Sequence, residues 1–253
     1  MRVIVSRPAA QAAGWVERLR EAGHDAVALP LIGIAPAADP AAVQAAWRAL
    51  AAQRLAVFVS PNAAERFLAA RPAGLHWPHA TLAGSTGPGT TQALRAGGVP
   101  AACIVEPASD APQFDSEALW ARLAARDWQG AAVLVVRGDG GREWLADTLR
   151  AHGATVAALA AYRRCAPELD AAGRGVLRAA LDAPRGHVWL FSSSEAIDNL
   201  AALAGAQADW SQARAVATHE RIAERARRLG LGAVALARPS LDAVSACIQS
   251  MPP

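Results

Sequence analysis

The sequence predicts an α/β protein built on two parallel sheets of five strands, each flanked by helices. Three observations carry this reading. Short strand-like runs alternate with amphipathic helical stretches along the chain, ten such runs occur, and the pattern of the first half recurs in the second. The chain has 253 residues, 53% of them apolar and 19% charged, which is too apolar to stay unfolded and is long enough for one to two domains.

The runs fall, in order, near residues 2–6, 26–30, 56–60, 81–84, 102–105, 133–137, 155–159, 188–192, 214–217 and 233–237, each closed by Gly, Pro, Ser or Asp. Ten strands are too many for one small sheet and divide into two fives. The segment VIVSRPAAQAAGWVERLREAGHDAVAL at 3–29 aligns without a gap on VLVVRGDGGREWLADTLRAHGATVAAL at 133–159, setting Arg7 on Arg137 and Gly23 on Gly153. FVSPNAAERF at 58–67 matches FSSSEAIDNL at 191–200, and farther along Gly97 matches Gly230. The order is therefore a, b, a′, b′. Pairing a with b gives two consecutive domains, and pairing a with b′ gives one domain interrupted by the other; sequence pattern alone leaves both open. GIAPAADP at 33–40 and AAYRRCAPELD at 160–170 read as linkers.

Several chemistries drop out. All 25 basic residues are arginine, so no lysine is present for a Schiff base or a P-loop. The longest apolar runs, such as AAVLVVRG at 131–138, are far shorter than the ~20 residues of a membrane span. MRVIVSRP enters a strand directly, without the pattern of a secretory signal, so a cytoplasmic protein is expected. Cys103, Cys165 and Cys247 form no CxxC and read as buried small hydrophobes, and the six histidines make no metal-ligand cluster. A net charge of +3 with dispersed arginines speaks against nucleic acid and for a small acidic ligand.

Four motifs remain. GSTGPGTTQAL at 84–94 turns a strand into a helix whose first N–H groups have no intrahelical partners, so Gly89 and Thr90 suit an anion, or Thr90 or Thr91 simply caps the helix. SPN at 60–62 (Ser60, Asn62) and SSSE at 192–195 (Ser192, Ser193, Ser194) end strands in hydroxyls at helix N-caps, where ligands of open parallel sheets bind. RGDGGRE at 137–143 supplies Arg137 and Gly138, and Asp139, the one carboxylate a metal would take, makes a poor metal site; Arg137 and Arg7 stand at equivalent strand ends as carboxylate forks. Thr218 and His219 follow a strand, and Tyr162, the single tyrosine, stands in the second linker as a packing residue or a proton donor in a cleft.

VSRP at 5–8, FVSPNA at 58–63, GPGTTQALRAGG at 87–98, DSEALW at 115–120, VVRGDGGREWLADTLRAHGA at 135–154, LFSSSEAI at 190–197 and ATHERIAERARRLG at 217–230 together resemble the uroporphyrinogen-III synthase family over almost the whole chain. The resemblance implies two flavodoxin-like domains joined by a two-stranded linker: 1–34 with 166–253, and 38–160 inserted, with 35–37 and 161–165 as linker. It also implies a cofactor-free, metal-free monomeric lyase that closes hydroxymethylbilane to uroporphyrinogen III, loses water and inverts the last pyrrole ring. Transient contact with the preceding pathway enzyme would supply its substrate. Tyr162 matches the family's tyrosine and is the implied proton donor; Thr90 matches its cleft threonine. Ser60, Ser193 and the N–H groups after them are the implied carboxylate holders, with Arg7 and Arg137 as ion partners. Two other classes compete: a non-catalytic two-lobed module binding an anionic small molecule, and a redox flavoprotein, which the scarcity of aromatic residues at strand ends disfavours.

Overall fold

The computed structural model describes residues 1–251. The chain runs β1 (Arg2–Val5), α1 (Ala9–Glu21), β2 (Asp25–Ala28), β3 (Gly33–Pro36), α2 (Pro40–Arg48), β4 (Leu55–Phe58), α3 (Pro61–Ala69), β5 (Leu82–Ser85), α4 (Pro88–Ala96), β6 (Ile104–Val105), α5 (Ser116–Leu123), β7 (Ala132–Gly138), α6 (Trp144–Ala151), β8 (Thr155–Cys165), α7 (Ala171–Asp182), β9 (His187–Phe191), α8 (Ser194–Ala204), β10 (Arg214–Ala217), α9 (Glu220–Leu229), β11 (Ala233–Leu236) and α10 (Leu241–Ser250). All ten expected runs are strands. They form two compact units, Met1–Gly33 with Cys165–Pro253, and Ile34–Arg164.

The first unit holds the parallel sheet β11-β10-β9-β1-β2. Its central strands β1, β9 and β10 are buried on both faces apart from Arg2, and their side chains alternate accordingly. Val3, Val5, Val188, Leu190 and Val216 pack with Val16 and Leu19 of α1 and with Val244 and Ile248 of α10. On the opposite face the rings of Trp189 and Phe191, two residues apart, stack at 5.9 Å.

The second unit holds the sheet β3-β8-β7-β4-β5-β6. Ala56, Phe58, Leu134 and Val136 point to the face covered by α2, α3 and α4, whereas Leu55, Val57, Val133 and Val135 point to α5 and α6. This sheet has six strands instead of the expected five. The sixth, β3, comes from the segment read as a linker; it lies beside β8, which runs on to Cys165, and it makes the sheet mixed. Nothing local encodes this pairing, because the partners lie more than 100 residues apart and the Arg163-Arg164 pair breaks the apolar pattern.

Two glycine matches in the repeat meet different fates. Gly23 and Gly153 follow α1 and α6 with φ of +86° and +88°, a left-handed turn that only glycine adopts without strain. Gly97 does not share the left-handed conformation of Gly230; its neighbour Gly98 does, with φ of +84°, so the repeat slips by one residue there. The cysteines are free, but only Cys103 is buried; Cys165 is exposed at the end of β8 and Cys247 is half-buried, which corrects the expectation for both.

Gly232 has the tightest surroundings of any glycine. A Cβ on it would lie 1.9 Å from the backbone oxygen of Ser211, which no side-chain movement relieves. Gly232→Ala is expected to destabilise the first unit by about 2 kcal/mol or more, read as a lower thermal midpoint; an unchanged midpoint would contradict the packing described. No helix among the described residues is long and apolar enough to cross a membrane.

Candidate active site

The connections place a switch point in each sheet. In the second unit, α3 leads from β4 to β5 on one side and α6 from β7 to β8 on the other, so the crossovers diverge between the adjacent strands β4 and β7. In the first, α1 leads from β1 to β2 and α8 from β9 to β10, diverging between β1 and β9. Ligands of open α/β sheets bind at the carboxyl ends of such strands. Those ends carry Ser60 and Gly138 in one unit, and Arg7 and Ser192 to Ser194 in the other.

At the second unit's switch point, Ser60 caps α3 and its Oγ accepts from the Ala63 N–H at 3.1 Å. The same Oγ lies 3.1 Å from the Tyr162 hydroxyl. Tyr162 belongs to β8, two strands away from β4, so its ring must cross β7 to arrive. Two features let it. Arg137 pairs with Ala160 and Gly138 with Tyr162, leaving Ala161 as the extra residue of a β-bulge. Because side chains alternate, that one residue turns Tyr162 onto the face of Val136 and Phe58, where regular pairing would turn it away. Gly138 then leaves space, since a Cβ there would lie 3.0 Å from the ring Cζ and 3.2 Å from the phenol oxygen. Tyr162 is thus a strand residue of β8 with 0% exposure.

The neighbouring turn of β5 into α4 differs from its expected form. The N-cap is Gly87 and makes no side-chain cap, so neither Thr90 nor Thr91 caps the helix. Thr90 is buried, and Thr91 lies 2.9 Å from Ser85 Oγ and 2.7 Å from Glu106 Oε2. Gly89 brings the first turn of α4 against α3, where a Cβ would lie 3.3 Å from the Pro61 ring. Asn62 is buried in the first turn of α3. Two helix N-termini therefore meet beside Ser60. Arg137 forms an ion pair with Glu143, so the fork assigned to it already has a carboxylate.

Its counterpart Arg7 differs. The guanidinium carbon sits 4.4 Å above the ring of Trp15, and no hydrogen-bond partner for the buried Nε exists among the described residues. Burial pushes this guanidinium down to about 10, a direction that marks an uncompensated cation. Ser6 anchors the end of β1, its Oγ donating to the Leu190 carbonyl at 2.7 Å. Ser193 is the N-cap of α8, yet its hydroxyl makes no cap bond, unlike Ser60. Ser192 and Ser194 flank it, half-buried. The Thr218 N–H donates to the Phe191 carbonyl at 3.1 Å, and His219 caps α9, its Nδ1 accepting from the Arg221 N–H at 3.2 Å.

The structure thus joins Ser60, Gly138 and Tyr162 into one cluster, with Asn62, Gly89 and Thr90 on the adjoining helix ends. It gathers Arg7 and Ser192 to Ser194 at the strand ends of the other unit. Trp15 and Glu143 join the site through partners that no local pattern announces: Trp15 lies eight residues past Arg7 within α1, and Glu143 six residues past Arg137 in a loop without periodicity. Among the described residues no three His, Cys, Asp or Glu side chains are placed to hold a metal.

A family model described as uroporphyrinogen-III synthase HemD matches residues 13–246. Two curated proteins named uroporphyrinogen-III synthase are similar. The one from Escherichia coli is 32% identical over 177 residues, and the one from Salmonella typhimurium is 31% identical over 173; each match covers 68% of both chains. Among solved structures, a mutant uroporphyrinogen III synthase from Thermus thermophilus superposes with a TM-score of 0.57 at 16% identity, covering 98% of this chain and 96% of that one. Uroporphyrinogen-III synthetase from Helicobacter pylori gives 0.56 at 15% identity, covering 98% and 97%. These two share the fold.

Proposed function

Because the chain belongs to the uroporphyrinogen-III synthase family, we propose that it cyclises hydroxymethylbilane to uroporphyrinogen III, with loss of water and inversion of the last pyrrole ring. The observation that carries the proposal to this chain's own residues is the Tyr162 phenol, seated over Gly138 at a switch point and hydrogen-bonded to Ser60. Loss of the terminal hydroxyl leaves an electrophilic azafulvene. The last pyrrole attacks it through its substituted carbon, the spiro intermediate fragments, and recombination at the other carbon completes the inversion. No strong nucleophile is needed. The protein has to protonate a poor leaving group, fold a linear chain and exclude water.

Tyr162 is the source of the proton. The substrate's carboxylates bind at helix N-termini and strand ends: at Asn62, Gly89 and Thr90 in one unit, and at Ser192 to Ser194, Thr218 and His219 in the other. Arg7 is the charged partner of one carboxylate. Arg137, already paired with Glu143, is not assigned to substrate. The enzyme acts as a cytoplasmic monomer, which sedimentation and cell fractionation check.

The reaction draws on acid chemistry and positioning alone, so it runs without metal or organic cofactor. Protein dialysed against a chelator and supplied with enzymatically made hydroxymethylbilane is expected to keep its full rate of ring closure. A rate that falls and returns with an added metal ion or flavin would overturn this part of the reading.

A further inference from the structure

Tyr162 is wholly buried, whereas Ser60, its hydrogen-bond partner, is half-exposed at the carboxyl end of β4. We infer that Ser60 is the group that hands the proton to the substrate and that Tyr162 stands behind it, the two hydroxyls acting as one relay. The inference rests on the reading of Tyr162 as the proton source. A phenol with no exposed surface does not meet a leaving hydroxyl directly; a serine it touches, with part of its own surface open, does.

The hydrogen bonds around Ser60 Oγ fit this role. The oxygen accepts from the Ala63 N–H, a cap bond that also fixes the side-chain rotamer, and it lies 3.1 Å from the Tyr162 hydroxyl, a pair in which either oxygen can donate. The relay uses the arrangement in which the phenol donates, which leaves the serine's own proton for a ligand. In the first step the substrate's C–O bond breaks and its electron pair leaves with the oxygen. Ser60 protonates that oxygen to give water, and Tyr162 returns a proton to Ser60. The products are a phenolate and an azafulvenium cation, equal and opposite charges formed together. When the last ring closes, the proton lost from its α-carbon goes back through Ser60 to the phenolate. The relay ends as it began.

The test compares Ser60→Gly, Ser60→Thr, Tyr162→Phe and the double variant Ser60→Gly/Tyr162→Phe. Glycine at an N-cap costs only a few tenths of a kcal/mol relative to serine, so Ser60→Gly removes the hydroxyl without unfolding α3, and circular dichroism verifies that. Ser60→Gly is expected to lower kcat by about 10- to 100-fold, as Tyr162→Phe does, with KM changed by less than about threefold. The double variant is expected to be no worse than about threefold below the slower single, because a broken relay is not broken twice. Ser60→Thr, which keeps the hydroxyl and the cap, restores most of the rate. The solvent deuterium isotope effect on kcat shrinks in both slow singles.

Wild-type kcat in Ser60→Gly beside a slow Tyr162→Phe would overturn the relay and leave Tyr162 as the donor. A double variant that loses the product of the two single effects would do the same. Wild-type kcat in Tyr162→Phe would remove both the relay and the reading beneath it.

Discussion

Tyr162→Phe is expected to lower kcat by about 10- to 100-fold, to change KM by less than about threefold, and to leave uroporphyrinogen III as the enzymatic product. The substitution is surgical in this setting. Phenylalanine keeps the ring over Gly138 and its contacts in the core formed with Phe58 and Val136, and it removes only the oxygen 3.1 Å from Ser60 Oγ. Ser60 retains its cap bond to Ala63, so α3 stays in place. The lost hydrogen bond costs about 0.5–1.5 kcal/mol of stability, too little to unfold the unit. What remains is a chemical effect: hydroxide leaves poorly at neutral pH, and an interaction made chiefly in the transition state appears in kcat, not in affinity. A Phe variant with the wild-type kcat would return Tyr162 to core packing.

Arg7→Met is expected to do the reverse, raising KM by about 10- to 100-fold while kcat at saturation stays within about threefold of wild type, and without loss of stability. A charge-assisted bond to a carboxylate is worth about 1.5–3 kcal/mol, which sets the expected range. The stability expectation follows from the orphaned Nε and from the direction in which burial pushes the guanidinium. Its folded value of about 10 lies below the ordinary arginine range, so between the two the unfolded chain binds more protons and stability rises with pH. Below about pH 10 the buried cation is a standing cost. Methionine keeps an unbranched stem against the Trp15 ring and removes the charge, so the thermal midpoint should stay level or rise by a few degrees. An unchanged KM would show that the cation serves something other than substrate. A lower midpoint would show that its stacking on Trp15 outweighs its desolvation.

The contrast between Arg7 and Arg137 marks how far the sequence could be read. Their alignment in the repeat is visible in the letters, and both stand at strand ends as that alignment requires. Their chemistry is not, because Glu143 neutralises one and nothing among the described residues neutralises the other. The ten strands and their helices follow from local periodicity. The eleventh strand does not, since β3 pairs with a stretch of β8 that carries two arginines and lies more than 100 residues further along the chain. The same limit hid the geometry of Tyr162. A lone tyrosine among AAYRRC reads as linker, and only the bulge at Ala161 and the bare Cα of Gly138 turn it onto the Ser60 face. A Cβ on Gly138 would meet the phenol ring before anything else, a closeness that no local pattern announces. Ser60 and Ser193 look alike in sequence, yet one hydroxyl caps its helix and the other does not.

Ring closure tests the account most directly, because closure of the linear chain at its free terminal carbon without inversion gives isomer I, and only an inverted last ring gives isomer III. Hydroxymethylbilane made by the preceding enzyme is supplied to the purified chain, and the oxidised products are separated by chromatography. The account predicts that isomer III predominates and forms in proportion to enzyme concentration. Isomer I alone, formed at the rate seen without protein, would contradict it.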